Sequence, residues 1–224
     1  MTDATITDSS TEGAPIIEAA YSPNDLEPAH WEALEWTRTR PIDITRTWNG
    51  SPAPQSRHSQ ARILWTESQL LVRFVCRQEE PLIVSPTPQT ERKTDRLWDR
   101  DVCEIFIAPE AGTPERYFEF EASPAGEWID LEIVFTSQGR ETNFEFHSGM
   151  KTAATILDDQ IMMTIAVPWS VHLPKPSVGD IWRVNLFRCI GAGDERYLAW
   201  QPTFTEEPNF HVPQAFGSLK FVKD

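Results

Sequence analysis

The sequence lacks the features that mark several large classes of protein. Over its 224 residues no apolar run approaches the roughly 20 residues that a membrane-spanning helix needs. Lysine and arginine number 20 against 34 aspartates and glutamates, and no basic run is present. Nucleic acids and anionic membrane surfaces are bound through clustered cations. The net charge of −14 therefore predicts that neither is a partner.

Cysteine, glycine and catalytic motifs are also scarce. Cys76, Cys103 and Cys189 cannot form a complete set of internal disulfides, and each lies in an apolar run typical of a buried thiol. With only 10 glycines, the chain has no phosphate-binding loop, and it lacks the GxSxG and HExxH motifs. The polar, acidic first residues do not resemble a secretory signal. We therefore expect a cytoplasmic protein, or a secreted one if the chain is a processed or truncated form.

Strand-like segments dominate what is present, together with 9 tryptophans and 18 prolines. Short runs rich in β-branched and aromatic residues alternate with polar turns, and helical periodicity is absent. This pattern predicts an all-β protein, a single antiparallel, jelly-roll-like β-sandwich of about ten strands with long loops and minimal helix. Residues 1–20 are interpreted as a disordered or extended tail, and residues 21–224 as one domain. The predicted strands are 61–65, 70–76, 102–108, 116–123, 129–135, 150–157, 161–167, 181–190, 197–200 and 219–222.

Alternation within the strands 102–108 and 116–123 separates two faces of the sheet. Successive side chains of a strand point to opposite faces, so the apolar positions of each strand predict the core face. The opposite face carries Glu104, Glu119 and Glu121, and is either a solvated surface or a ligand groove. The residues predicted to face the core are Cys103, Ile105, Ile107, Phe118, Phe120 and Ala122.

Trp98 stands apart from the other tryptophans because it lies in a charged loop just before a strand. A flat apolar ring beside carboxylates suits a sugar, since a pyranose has an apolar face for stacking and hydroxyls that need acceptors. The alternative is that Trp98 packs beneath the long loop 85–97 and has only a structural role.

Six segments in order resemble the carbohydrate-binding family 9-like domains of the DOMON-like superfamily. They are LWDRDVCEIFI, YFEFEASPAG, VPWS, GDIWRVNLFRC, YLAWQPT and NFHVPQAFGSLKF, and the resemblance spans about residues 60–222. It implies a β-sandwich that binds glucose- or xylose-type saccharides without catalysis, as part of polysaccharide catabolism. In this family the sugar lies between two aromatic rings, with polar side chains around the rim.

The resemblance also assigns residues of this chain to the sugar site. The first ring matches Trp98, the rim acid matches Glu104, and the second ring matches Phe210, where the family has tryptophan. Glu119 stands where the family has an arginine, and Glu207 stands where it has an amide. A donor replaced by an acceptor cannot make the same hydrogen bond, so an altered specificity is expected. The candidate ligand-binding residues are Trp98, Glu104, Glu119, Glu207, Asn209, Phe210 and His211.

Two other functions remain open from the sequence. Glu104, Glu119 and Glu121 are candidate paired carboxylates for a hydrolase acting on O-glycosyl bonds. Alternatively, the sandwich is a protein-interaction module that has lost sugar binding. No cofactor is expected, and the histidine spacing does not favour zinc. A structural calcium ion is considered because hard cations bind clustered carboxylates, with solvated turn acids as the alternative interpretation. Its candidate ligands are Asp99, Asp101, Asp158 and Asp159.

Overall fold

The computed structural model describes residues 15–110, 112–113 and 115–223, and they form an all-β sandwich, as predicted. Fourteen strands join into one folded sheet. The first seven are β1 (Ile16–Tyr21), β2 (Ile42–Ile44), β3 (Arg46–Thr47), β4 (Ser59–Trp65), β5 (Gln69–Arg77), β6 (Val102–Ala108) and β7 (Arg116–Ala122). The others are β8 (Trp128–Thr136), β9 (Gly139–Asn143), β10 (Lys151–Ile156), β11 (Gln160–Pro168), β12 (Ile181–Cys189), β13 (Tyr197–Ala199) and β14 (Gly217–Val222).

The strand order corrects two details of the prediction. Along the sheet the order is β10-β11-β5-β4-β1-β14-β12-β6-β7-β8-β9, and β1 runs parallel to both of its neighbours. The sheet is therefore mixed, whereas the prediction was purely antiparallel. The described chain also has fourteen strands instead of about ten. Strands β2, β3 and β9 are short or polar, so hydrophobic alternation does not reveal them, and most of β1 lies in the segment interpreted as a tail.

Part of the predicted tail is a strand of the domain. In β1, Ile17 pairs with Leu219 and Ala20 pairs with Leu64, so β1 connects the β4 and β14 edges of the sheet. Backbone pairing on both sides holds this segment despite its modest hydrophobicity. Residues 1–14, the remainder of the predicted tail, lie outside the described residues.

The main core lies between two layers of the folded sheet. Strands β4, β5 and β11 contribute one side, and β6, β7, β12 and β14 contribute the other. All six residues predicted from alternation to face the core lie in it, which confirms that reading of β6 and β7. Two of the three cysteines, Cys76 and Cys103, are buried in this core, and Cys189 is buried elsewhere, as expected for free thiols.

The opposite face of β6, β7 and β12 is buried as well. Phe106, Tyr117 and Phe187 form a second apolar cluster there, which is covered by Trp48 and by the C-terminal loop, residues 200–216 between β13 and β14. Every residue of β6 is therefore buried, on whichever face it lies. The alternation of apolar residues left open whether the second face is a solvated surface or a ligand groove. Its burial shows that it is not a solvated surface.

Helical structure in the described chain consists of short 3₁₀ turns. The longest, Leu34–Arg38, has five residues and buries Trp36. None of the helices found in the described ranges has the length and apolar character required to cross a bilayer.

Arg188 of β12 is a buried cation that ties the two layers together. One terminal nitrogen of its guanidinium donates to the carbonyl of Arg57 at 3.0 Å and the hydroxyl of Ser59 at 2.9 Å. The other donates to the carbonyl of Arg77 and the amide oxygen of Gln78, both at 2.8 Å. A planar fork of donors suits this arrangement, because the four acceptors lie on two sides of one group.

We predict that Arg188→Met destabilises the fold by about 3 kcal/mol or more, because several buried acceptors lose their donor. Arg188→Lys is expected to recover only part of this loss, since one ammonium group cannot reach both pairs of acceptors. Urea denaturation followed by circular dichroism measures the change, with the exposed Arg92→Met as control. A loss no larger than that of the control would show that the network does not stabilise the fold.

Candidate functional site

A cleft of about 500 Å³ opens beside the second apolar cluster. Its floor comes from β6, β7 and β8, and its sides come from β9, the turn before β6 and the C-terminal loop. The lining residues are Trp98, Glu104, Phe106, Glu119, Leu131, Ile133, Arg140, Thr142, Phe144, Cys189, Tyr197, Pro208, Asn209, Phe210 and His211. Six of the seven candidate ligand-binding residues are among them.

Trp98 reaches the cleft because its two neighbours fix the short turn Leu97–Asp99. Leu97 is fully buried in the second cluster, and Arg96 pairs with Asp99 at 2.8 Å. The ring of Trp98 packs against the cluster but stays only half-buried. It is therefore placed at the cleft wall with accessible surface.

Phe210 is a more enclosed ring than the resemblance suggests. It stacks on Phe187 with ring centroids 4.0 Å apart and meets the edge of Tyr197 at 5.9 Å. Only 9% of its surface is exposed. One face of the ring is thus already occupied by protein, and little of the other is accessible.

Trp48 holds the C-terminal loop that carries Phe210. Its carbonyl accepts from the amides of Thr203 and Phe204, both at 2.9 Å, and its indole donates to the carbonyl of Thr205 at 3.2 Å. These bonds span more than 150 residues of sequence, and they dock the loop against the sheet. The position of Phe210 therefore depends on a residue outside the six matching segments.

Glu207 is the one candidate that does not line the cleft. The hydroxyl of Thr205 donates to the Glu207 carbonyl at 2.7 Å, and the Glu207 side chain is exposed. Two residues later Asn209 does reach the cleft, and its amide oxygen accepts from the His211 amide at 3.0 Å. Asn209 thus both shapes the loop and presents a polar group.

His211 supports the wall of the cleft. Its Nδ1 is 2.8 Å from the hydroxyl of Tyr117 and 3.9 Å from Glu119, and its ring lies over Phe106. Burial, with a smaller effect of Arg140, lowers the pKa of His211 to about 3. The ring is therefore a neutral hydrogen-bonding group at physiological pH.

Strand β9 supplies three lining residues that the sequence analysis missed. Arg140, Thr142 and Phe144 lie on or just after this strand, which the hydrophobic pattern did not predict. Thr142 pairs with Ile133, another lining residue, which places both on the cleft side of the sheet. Alternation of Arg140, Thr142 and Phe144 is the sequence signal, but it is weak because the strand is almost entirely polar.

Three carboxylates meet beneath the cleft. Glu104 lies directly opposite Glu121 in the β6–β7 pairing, and Glu119 is two positions away on the same face. One oxygen of each lies within 4.8 Å of the others, and the three residues are 2%, 0% and 3% exposed for Glu104, Glu121 and Glu119. Burial, followed by repulsion from neighbouring carboxylates, raises the pKa of Glu104 and Glu121 well above the usual range. Burial also raises the pKa of Glu119.

The four aspartates considered as calcium ligands do not form one site. Both oxygens of Asp101 accept backbone amides, from Gly191 at 2.7 Å and from Ile83 at 3.2 Å. Asp99 is paired with an arginine, and Asp158 and Asp159 lie exposed in the turn between β10 and β11. Within the described ranges, the one group of three possible metal ligands is Glu104, Glu119 and Glu121.

Comparison with known proteins settles the family. The sequence model of the family described as carbohydrate family 9 binding domain-like matches residues 31–224. The chain belongs to this family. The resemblance carried by the six segments is thus confirmed for this family 9-like domain.

Proteins similar to this family 9-like domain match it at low identity. An extracellular protein of Arthroderma benhamiae is 23% identical over 186 residues, which cover 76% of this chain and 80% of that protein. A Bacteroides uniformis protein proposed to bind carbohydrate superposes with a TM-score of 0.72 at 20% identity, covering 93% of this chain and all of that one. A family 9 module of Caldicellulosiruptor kristjanssonii, solved with cellotriose, gives 0.60 at 15% identity, covering 94% and 95%. The same organism's module solved with glucose gives 0.59 at 15% identity, covering 94% and 97%.

We predict that Phe210→Ala destabilises the protein by about 3 kcal/mol, because it removes a ring stacked between other aromatic residues. Phe204→Ala in the same loop is the matched control, since Phe204 is 73% exposed and should change stability by about 0.5 kcal/mol or less. Denaturant unfolding of both variants measures the difference. Equal losses would contradict the packing role of Phe210.

Proposed function

We propose that this family 9-like domain binds a glucose- or xylose-type saccharide in the cleft without catalysis, and acts in polysaccharide catabolism. The observation that carries the proposal is that Trp98, which is only half-buried, lines a cleft that also holds charged and amide groups. Its volume of about 500 Å³ lies in the range of small-molecule sites. On the resemblance of the six segments, the domain is also proposed to belong to the DOMON-like superfamily.

Aromatic stacking is assigned mainly to Trp98 in this proposal. A sugar ring needs an accessible aromatic face, and Trp98 provides one at the cleft wall. Phe210 can offer the ligand only part of a second aromatic face, because most of its surface is buried. Phe144, which is 46% exposed, adds a third ring at the entrance and extends the apolar surface toward β9.

Polar recognition is assigned to Glu104, Asn209 and Arg140. Glu104 and Asn209 occupy the positions that the resemblance implies, at the floor and the C-terminal side of the cleft. Arg140 supplies a guanidinium from β9, although Glu119 stands where the family has its arginine. The donor lost from one strand is thus supplied from another, and this rearrangement supports a specificity different from that of the family's modules.

The arrangement of the acids supports binding over hydrolysis. An inverting glycosidase needs carboxyl groups about 6.5–9.5 Å apart to admit water. A retaining one has them about 5–5.5 Å apart, and in both classes the carboxyl groups must reach the glycosidic bond. Here one oxygen of each carboxylate lies within 4.8 Å of the others, and the three groups are almost fully buried, which leaves them little access to a substrate. We therefore assign Glu104 to sugar recognition, and Glu119 and Glu121 to the supporting floor of the site.

We predict that glucose, cellobiose, xylose or xylobiose changes the tryptophan fluorescence on titration, because a stacked sugar alters the environment of Trp98. Trp98→Ala should weaken binding, measured by calorimetry, at least about tenfold, equivalent to 1.4 kcal/mol. Trp31→Ala is the matched control, since Trp31 is also half-buried and does not line the cleft.

Three outcomes would contradict this function. No response to any of the four sugars, or equal affinity of Trp98→Ala and the parent protein, removes the assigned site. Product release from aryl glycosides that is lost in Glu104→Gln establishes a hydrolase instead. A flat glycan response with capture of a protein partner supports the interaction module.

A further inference from the structure

Two of the three cysteines meet in the main core, although they come from opposite layers of the sandwich. Cys76 lies on β5 and Cys103 lies on β6, and both are fully buried. Their sulfur atoms are 3.4 Å apart, and 27 positions separate them in the sequence. The two strands do not pair with each other, so this contact depends on how the layers pack.

Arg188 holds the layers together next to both thiols. It pairs with Cys103 across β12 and β6, while Cys76 pairs with Ser59 across β5 and β4. The guanidinium donates to the hydroxyl of Ser59 at 2.9 Å and to the carbonyl of Arg77 at 2.8 Å. The polar network that crosses the sandwich therefore also fixes the two cysteines opposite each other.

The surroundings give the two thiols different acidities. The hydrogen bond with Cys103 lowers the pKa of Cys76 to about 6, with a further contribution from Arg188 and against the effect of burial. Burial, together with the same hydrogen bond, raises the pKa of Cys103 well above the usual range. The thiolate is the attacking species in thiol–disulfide exchange, so Cys76 is the nucleophile of the pair and Cys103 is the second thiol.

We propose that Cys76 and Cys103 form a reversible disulfide that joins the two layers, and that Cys189 remains a free thiol. A disulfide bond is about 2.05 Å long, so the two sulfurs must approach each other by about 1.4 Å. The two side chains can share this movement, because each rotates about its own Cα–Cβ bond. Cys189 lies in the second apolar cluster, where its thiol contacts a carboxylate oxygen of Glu104 at 3.5 Å.

The oxidant in this proposal is a small disulfide such as oxidised glutathione. The thiolate of Cys76 attacks one sulfur of the oxidant, whose S–S bond breaks, and one glutathione thiolate leaves. Cys103 then gives up its proton and attacks the sulfur of Cys76, and the second glutathione leaves as a thiolate. Two protein thiols are oxidised to one disulfide, one glutathione disulfide is reduced, and the two protons pass to the released glutathiones. Because both cysteines are buried, the exchange takes place during folding or while the layers open locally.

The bond closes a long connection at its base. Residues 78–101, which the structure describes throughout, contain no strand, and they carry Trp98 at the cleft wall. Joining the two ends of such a loop restricts the unfolded chain and thereby stabilises the fold. Cys103 faces the core, whereas its neighbour Glu104 faces the cleft. The disulfide therefore does not depend on the proposed sugar binding, and the two proposals can fail separately.

The test is refolding of the full chain from urea in a buffer of reduced and oxidised glutathione, in the absence of sugar. Alkylation under denaturing conditions should then find one free thiol per chain, against all three after reduction with dithiothreitol. Mass spectrometry should show the loss of two hydrogen atoms, and peptide mapping should find Cys76 joined to Cys103. The Tm of the oxidised protein should exceed that of the reduced protein by roughly 5–10 °C.

Variants locate the bond. Cys189→Ala, which removes the third buried thiol, is the matched control and should keep both the disulfide and the difference in Tm between the oxidised and reduced forms. Cys103→Ala should lose both, and Cys76→Ala provides a second test if Cys103→Ala folds poorly. Three free thiols in the oxidatively refolded parent protein, a disulfide that includes Cys189, or glutathione adducts without an internal bond would overturn the proposal.

Discussion

Burial of both faces of the β6–β7 pair is the constraint on which the rest of the structure depends. The inner face contributes Ile105 and Phe120 to the core between the layers. The outer face, with Phe106 and Tyr117, is covered by Trp48 and the C-terminal loop. Since burying apolar surface is the main driving force of folding, this second cluster is what holds the loops in place. The cleft exists because that covering layer is incomplete between Trp98, β9 and the C-terminal loop.

The same burial gives the acids of the outer face their unusual character. A carboxylate on a solvated face would be an ordinary surface charge, but Glu104, Glu119 and Glu121 are removed from water without an ion-pair partner from lysine or arginine among the described residues. Burial therefore raises the pKa of each one. An aromatic wall above and polar groups below suit a polar ligand with an apolar face.

Much of the fold could be predicted from strand patterning, and the failures have physical causes. Alternation identified the core faces of β6 and β7 because apolar side chains there repeat with period two. It missed β9, where Arg140 and Thr142 alternate with other polar residues, and β1, whose place depends on pairing with β4 and β14. In the site, Trp98, Glu104, Phe210 and His211 do line one cleft, whereas Glu207 turns outward because the loop bends at Thr205.

The sequence by itself determined the strand-rich pattern, the family, and which side chains share a face of each central strand. These depend on local periodicity and on the order of the motifs, and both can be read directly from the sequence. Only the tertiary structure decided that the outer face is buried, that Arg140 enters the cleft, and that three glutamates converge beneath it. Those facts depend on which distant segments cover a strand, and contacts such as that of Trp48 with Thr205 join residues far apart in sequence.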